Sequence, residues 1–90
     1  MNRDKRFDSI KVLIETGNIT EFKQVFDYIP KSVVGKQLRT NNPRMNRLLL
    51  RVDELTIHEV VMLSNVFNIE YTKLLGIVYK QYFNDHKKRK

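Results

Sequence analysis

The residues that stop and start helices come so often in this chain that no long element fits between them. Gly17 sits where a helix usually ends. Pro30 pushes the residue before it out of α geometry while suiting the first turn of a new helix, and Pro43 repeats that signal. Thr56-Ile57-His58-Glu59 forms a capping box, with Leu55 and Val60 at the two positions of a hydrophobic staple. Each segment between these marks carries apolar residues three and four apart, the spacing that lines one face of an α-helix. No segment alternates apolar and polar residues with β-branched enrichment for long enough to make a strand.

Six helices follow from this reading. The first runs from about Lys5 to Thr16 with Phe7, Ile10, Leu13 and Ile14 inward. Asn18-Ile19-Thr20-Glu21, a capping residue with an acid three positions on, opens a second that carries Phe22, Val25, Phe26 and Ile29 and ends near Ile29. Pro30 opens a third, to about Leu38, with Val33, Val34 and Leu38 as its stripe. Asn42 caps a fourth of about two turns, with Pro43 in its first position and Met45, Leu48 and Leu49 on one face. The fifth starts at the capping box, turns Val60, Leu63, Ser64 and Phe67 inward, and ends at Asn68, which tolerates the left-handed cap conformation. The sixth opens near Glu70 and carries Tyr71, Leu74, Leu75, Val78, Tyr79 and Tyr82 to about Phe83.

The expected fold class is therefore all-α, a compact bundle of five to six short helices. Ninety residues support one modest core, so residues 1–84 are expected to form a single domain, with residues 85–90 as a flexible basic tail. No apolar run approaches the roughly 20 residues that span a bilayer, and the N-terminus does not read as a secretory leader. With no cysteine there is no disulfide, thiolate nucleophile or zinc-thiolate site. A cytoplasmic protein is expected.

The formal net charge of +7 is unevenly placed. Residues 1–27 sum to zero. Residues 28–52 carry Lys31, Lys36, Arg39, Arg44, Arg47 and Arg51 with no acid, a local +6, and the last four residues, Lys87-Lys88-Arg89-Lys90, are all basic. A one-signed block on a folded segment attracts polyanions.

That block coincides with two short helices joined by about three or four residues, the pattern of a helix-turn-helix over residues 30–51. At 100° per residue the fourth helix turns Met45, Leu48 and Leu49 to one side and Arg44, Arg47 and Arg51 to the other, with Asn46 at the flank. Arg presents a two-donor fork to the O6 and N7 of guanine, Asn pairs with adenine N6 and N7, and both reach phosphates. Asn42 stays open between capping its own helix and contacting DNA. Replacing Arg44 and Arg47 with Ala is expected to weaken binding while leaving the thermal midpoint nearly unchanged.

Val34-Gly35-Lys36-Gln37-Leu38, Thr40 through Leu48, Leu55 through Val66, and Asn68 through Leu75 together resemble a lambda-repressor-like (Cro/Xre type) DNA-binding domain, over about Thr20 to Val78. The resemblance implies that a small residue at Gly35 lets the two motif helices approach, and that Val34, Leu38, Met45 and Leu48 pin the recognition helix. It implies base contacts from Asn42, Arg44, Asn46 and Arg47, and backbone contacts from Lys31, Ser32, Lys36, Arg39, Asn41 and Arg51. Two positions depart from the family pattern. Arg39 stands where the motif turn usually has glycine, which implies either positive φ at Arg39 or a turn of different shape. Lys31 and Ser32 stand near where many members have a phosphate-clamping Gln. The first helix lies outside the family's usual five.

The implied function is sequence-specific binding of double-stranded DNA by a small bacterial or phage transcriptional regulator, nucleoid-associated when bound. The alternative is a protein-interaction module, antitoxin-like or adaptor, on the same scaffold. RNA binding lacks support, since the aromatics fall on apparent core stripes. Tyr79 is expected in the core. Tyr82 and Phe83 stay open between packing and dimerisation, and a homodimer through the C-terminal helix would pair two half-sites. His58 and His86 have no second ligand at metal spacing, Asp53-Glu54 reads as a loop without an accompanying nucleophile, and no Gly-rich phosphate loop is present. No cofactor, small-molecule substrate or enzymatic activity is expected.

Overall fold

In the computed structural model, which describes residues 4–87, the core begins where α1 (Arg6–Glu15) lays Phe7, Ile10 and Ile14 against the rest of the chain. Phe7 meets Phe67 edge-on with ring centroids 5.8 Å apart, which ties this first helix to α4 (Ile57–Phe67). Between them come α2 (Lys31–Leu38) and α3 (Asn42–Leu50), and α5 (Tyr71–Lys87) closes the bundle. Short 3-10 segments, Phe22–Asp27 and Val52–Glu54, complete the element order, and no strand occurs among the described residues. The fold is an all-α bundle of short helices around one core.

Local signals explain most boundaries. Gly17 adopts φ +83°, and the chain then turns back so that Ile19 N–H reaches Leu13 C=O at 2.9 Å. Thr56 Oγ accepts Glu59 N–H at 3.0 Å while Glu59 Oε1 accepts Thr56 N–H at 3.1 Å, the reciprocal capping box. Asn68 ends α4 in the left-handed region at φ 58°. Arg39 does the same for α2 at φ 56°, so the departure from glycine is absorbed by a strained side-chain-bearing residue, at a cost of about 1 kcal/mol.

Several expectations are corrected. The second helix is six residues of 3-10 helix, and its start is organised by Gln24, not Asn18: Gln24 Oε1 accepts Thr20 N–H at 2.8 Å and Glu21 N–H at 3.2 Å. Pro30 itself is the extended residue before α2, not its first helical residue. Asn41, not Asn42, caps α3: its Oδ1 accepts Arg44 N–H at 2.9 Å. Pro43 then falls one position deeper, still within the first turn, where a missing N–H costs nothing. Asp53 and Glu54 lie in a 3-10 turn rather than an irregular loop.

The largest correction concerns α5. It continues through residues 85–87, which had been assigned to the tail; residues 88–90 of that tail lie outside the described residues. Its buried line is Leu74, Ile77, Val78 and Gln81, whereas Tyr71, Leu75, Tyr79 and Tyr82 are exposed, against the expectation that Tyr79 packs in the core. Gln81 sets that rotation. Fully buried, it accepts Lys23 N–H at 2.7 Å and donates to Leu49 C=O at 2.9 Å, satisfying two backbone groups from elements far apart in sequence.

Candidate nucleic-acid interface

α2 and α3 are joined by Arg39, Thr40 and Asn41 and pack closely because residue 35 is glycine. A Cβ there would stand 3.2 Å from Met45 Cγ and 3.4 Å from Thr40 C=O. Thr40 N–H bonds Gly35 C=O at 2.9 Å, which fixes the direction in which the chain leaves α2. Val34, Leu38, Met45 and Leu48 are all buried, so α3 is held by its inner stripe and presents Asn42, Pro43, Asn46, Arg47 and Leu50 outward.

The residues expected at the interface, Arg44 excepted, fall into three groups. Asn42, Asn46 and Arg47 lie on the exposed face of α3. Lys31, Ser32 and Lys36 are exposed on α2, Arg39 in the turn and Arg51 at the end of α3. Lys31 reaches across to α3, its Nζ donating to Asn46 Oδ1 at 2.5 Å. Asn41 is exposed but its side-chain oxygen is spent on the helix cap.

Arg44 belongs with none of these. Its guanidinium turns toward α4 and forks onto the Glu59 carboxylate, Nη2 donating to Oε1 at 2.9 Å and Nη1 to Oε2. Glu59 is largely buried and is also the acid of the capping box. The Arg44 fork, helped by the Thr56 backbone, holds the Glu59 carboxyl below its ordinary value despite the opposing effect of burial. Arg44 is raised in turn, chiefly by the same hydrogen bonds. The pair therefore ties α3 to α4, and Arg44 does not share the outward face with Arg47.

The +6 block is not isolated in space. Arg47 donates through Nε to Glu54 Oε1 at 2.7 Å and through Nη2 to Oε2 at 3.2 Å. Arg51 pairs with Asp53 at 3.4 Å and lies 3.9 Å from Glu54, and the Arg51 guanidinium holds the Asp53 carboxyl below its usual range. Acids that follow the block in sequence thus fold back onto its three C-terminal arginines. Lys31, Lys36 and Arg39 have no ion pair among the described residues. Arg47 keeps 68% of its side chain exposed, so its pair with Glu54 is screened and readily exchanged for another anion.

The chain matches no protein-family model, no curated protein and no solved structure. The site therefore rests on its own geometry. Among the described residues no three His, Cys, Asp or Glu side chains converge as metal ligands, and no helix is long and apolar enough to cross a membrane.

Sequence reasoning had no means of finding the acids that hold Arg44 and Arg47, because Glu59 and Glu54 are brought there by the turn of the chain after α3. Leu50 is different. It is 74% exposed on the line of Asn46 and Arg47, and its helical position already placed it outward.

Proposed function

We propose that the chain binds double-stranded DNA sequence-specifically, as a small transcriptional regulator of bacterial or phage type, by laying α3 in the major groove. The observation that carries this reading is the outer face of α3, where Asn42, Asn46 and Arg47 stand clear of the core beside the exposed cations of α2 and its turn. Two short helices at a three-residue turn, pinned by Val34, Leu38, Met45 and Leu48, are what a Cro/Xre-type helix-turn-helix requires. Lys31, Lys36 and Arg39, with Ser32 and Arg51 beside them, supply phosphate contacts, and α3 supplies sequence choice.

The roles within the face are unequal. Arg47 exchanges Glu54 for a guanine edge or a phosphate. Asn46, with Oδ1 held by Lys31, offers its NH2 group outward and so favours acceptor edges such as guanine O6 and N7 or thymine O4. Exposed Leu50 suits contact with a thymine methyl. Arg44 acts from behind as a positioning residue, through Glu59.

Selection from randomised duplex DNA at near-physiological salt tests the reading, run beside an Arg47→Ala/Asn46→Ala variant whose fold is checked by circular dichroism. An enriched motif that the variant loses supports readout by α3. No enrichment with a folded protein defeats the proposal. A second reading, a protein-interaction module, is favoured by one observation, the apolar face of α5. Affinity for duplex DNA should fall with salt at a log-log slope of about −0.9 per phosphate neutralised, whereas an apolar interface changes little.

A further inference from the structure

One exposed surface, formed by α5 and the start of α4, is rich in apolar and aromatic side chains. On α5, Tyr71, Leu75, Tyr79, Tyr82 and Phe83 share a sector about 120° wide beside the buried line of the helix. Tyr79 is 64% exposed and stacks on Phe83 at 6.3 Å between ring centroids. Ile57, 73% exposed in the first turn of α4, meets Leu75, Tyr79 and Tyr82 around a shallow apolar depression of about 240 Å³ floored by Val52 and Leu55.

We infer that this α4–α5 face is covered by a second copy of the chain, in a two-fold dimer. Area is the first argument. With about 200 Å² for each aromatic side chain, the exposed fractions of these residues amount to roughly 600 Å² of apolar surface per copy. A standard interface buries about 800 Å² per partner, of which somewhat over half is apolar, so the face is large enough.

Charge is the second argument. Each copy carries +7, yet the depression is lined by no lysine or arginine and by a single acid, Asp53. Two such chains meet here without setting cation against cation, which the α2–α3 surface would not allow. Gly76 adds to this. It lies mid-helix at the edge of the aromatic sector with open space where a Cβ would stand, a substitution that weakens an isolated helix but lets a partner helix come close.

The face is continuous with the end of α3. Gln81, the residue before Tyr82, donates to Leu49 C=O in the last turn of α3. A two-fold axis that runs within the face toward the end of α3 would bring the two copies of α3 to the same side of the dimer, where paired half-sites would lie. Self-association itself does not depend on the DNA reading.

Sedimentation equilibrium of the full chain, without DNA and across a dilution series, tests the inference. The wild type is expected to show reversible dimers. Tyr79→Glu and Ile57→Glu should each raise the dimer Kd at least about 30-fold, the loss typical of a central anchor, while Val12→Glu on exposed α1 leaves it unchanged. Thermal melts establish that each variant is folded, and either α4–α5 variant suffices if the other is not. A wild type that stays monomeric up to about 1 mM overturns the inference. So do dimers undiminished in both α4–α5 variants, dimers lost in Val12→Glu alone, or a monomer whose tyrosine fluorescence responds only to single-stranded nucleic acid or to another protein. Because no DNA is present, failure here leaves the DNA reading untouched, and a dimer that binds no DNA leaves the inference standing.

Discussion

Arg44→Ala should destabilise the protein where Arg47→Ala does not, although the two arginines are three residues apart in one helix. Removing Arg44 leaves the Glu59 carboxylate, only 10% exposed, with the Thr56 N–H as its remaining donor. Breaking a fully buried pair costs about 3–5 kcal/mol and an exposed pair about 0–1. The Arg44 side chain keeps 37% exposure, so solvent screening places this pair between those limits, at about 2 kcal/mol. For a 90-residue domain that lowers Tm by about 10 °C. Arg47→Ala gives up only a screened surface pair and should move Tm by no more than about 5 °C. The effect of Arg44 also depends on pH in a known direction. Glu59 titrates below its ordinary value of 4.5 in the folded chain, so its contribution is complete above that value and disappears as pH falls through the folded pKa. Melting curves of wild type and Arg44→Ala from pH 7 down to about pH 3 should accordingly converge. Equal Tm values for Arg44→Ala and Arg47→Ala at pH 7, or a gap that persists unchanged into acid, would refute the assignment of Arg44 to the fold.

Two further outcomes are expected. Gln81→Leu strands Lys23 N–H and Leu49 C=O together, each costing about 1–3 kcal/mol, so urea denaturation should show a loss of about 3 kcal/mol; a loss under about 1 kcal/mol would mean that water enters and replaces the amide. Arg39→Gly relieves the left-handed strain at φ 56° and should raise stability by about 0.5–1 kcal/mol, while removing a phosphate contact should flatten the salt dependence of DNA binding by about 0.9 in log-log slope. Destabilisation, or an unchanged slope, counts against that placement of Arg39.

Much of the fold was legible because its boundary signals are local. The Thr56 box, the left-handed Asn68 and the end of α2 at Leu38 each depend on groups within about four residues of one another. The cap of α3 was misplaced by one residue for an equally local reason. Asn41 and Asn42 are both good capping residues, and the backbone conformation chose between them. α5 was misread because it carries two apolar stripes. Its periodicity fits the line through Tyr71, Tyr79 and Tyr82 as well as the line through Leu74 and Ile77, and a polar residue, Gln81, identifies the buried one. On α3, the exposure of Asn42, Asn46 and Arg47 followed from helical geometry, whereas the direction of Arg44 did not.

By itself, then, the sequence determined the approximate place of most helix boundaries, the left-handed turns at Gly17 and Asn68, and which side of α3 is apolar, since these are set by backbone chemistry within a turn or two. Only the tertiary structure decided which cations are spent inside the protein. Arg44 and Arg47 meet Glu59 and Glu54, well beyond them in sequence, because the chain folds back after α3, whereas Arg51 pairs with Asp53 only two residues on. Charge interactions act through space with no fixed sequence interval, so a count along the chain gives their number but not their partners.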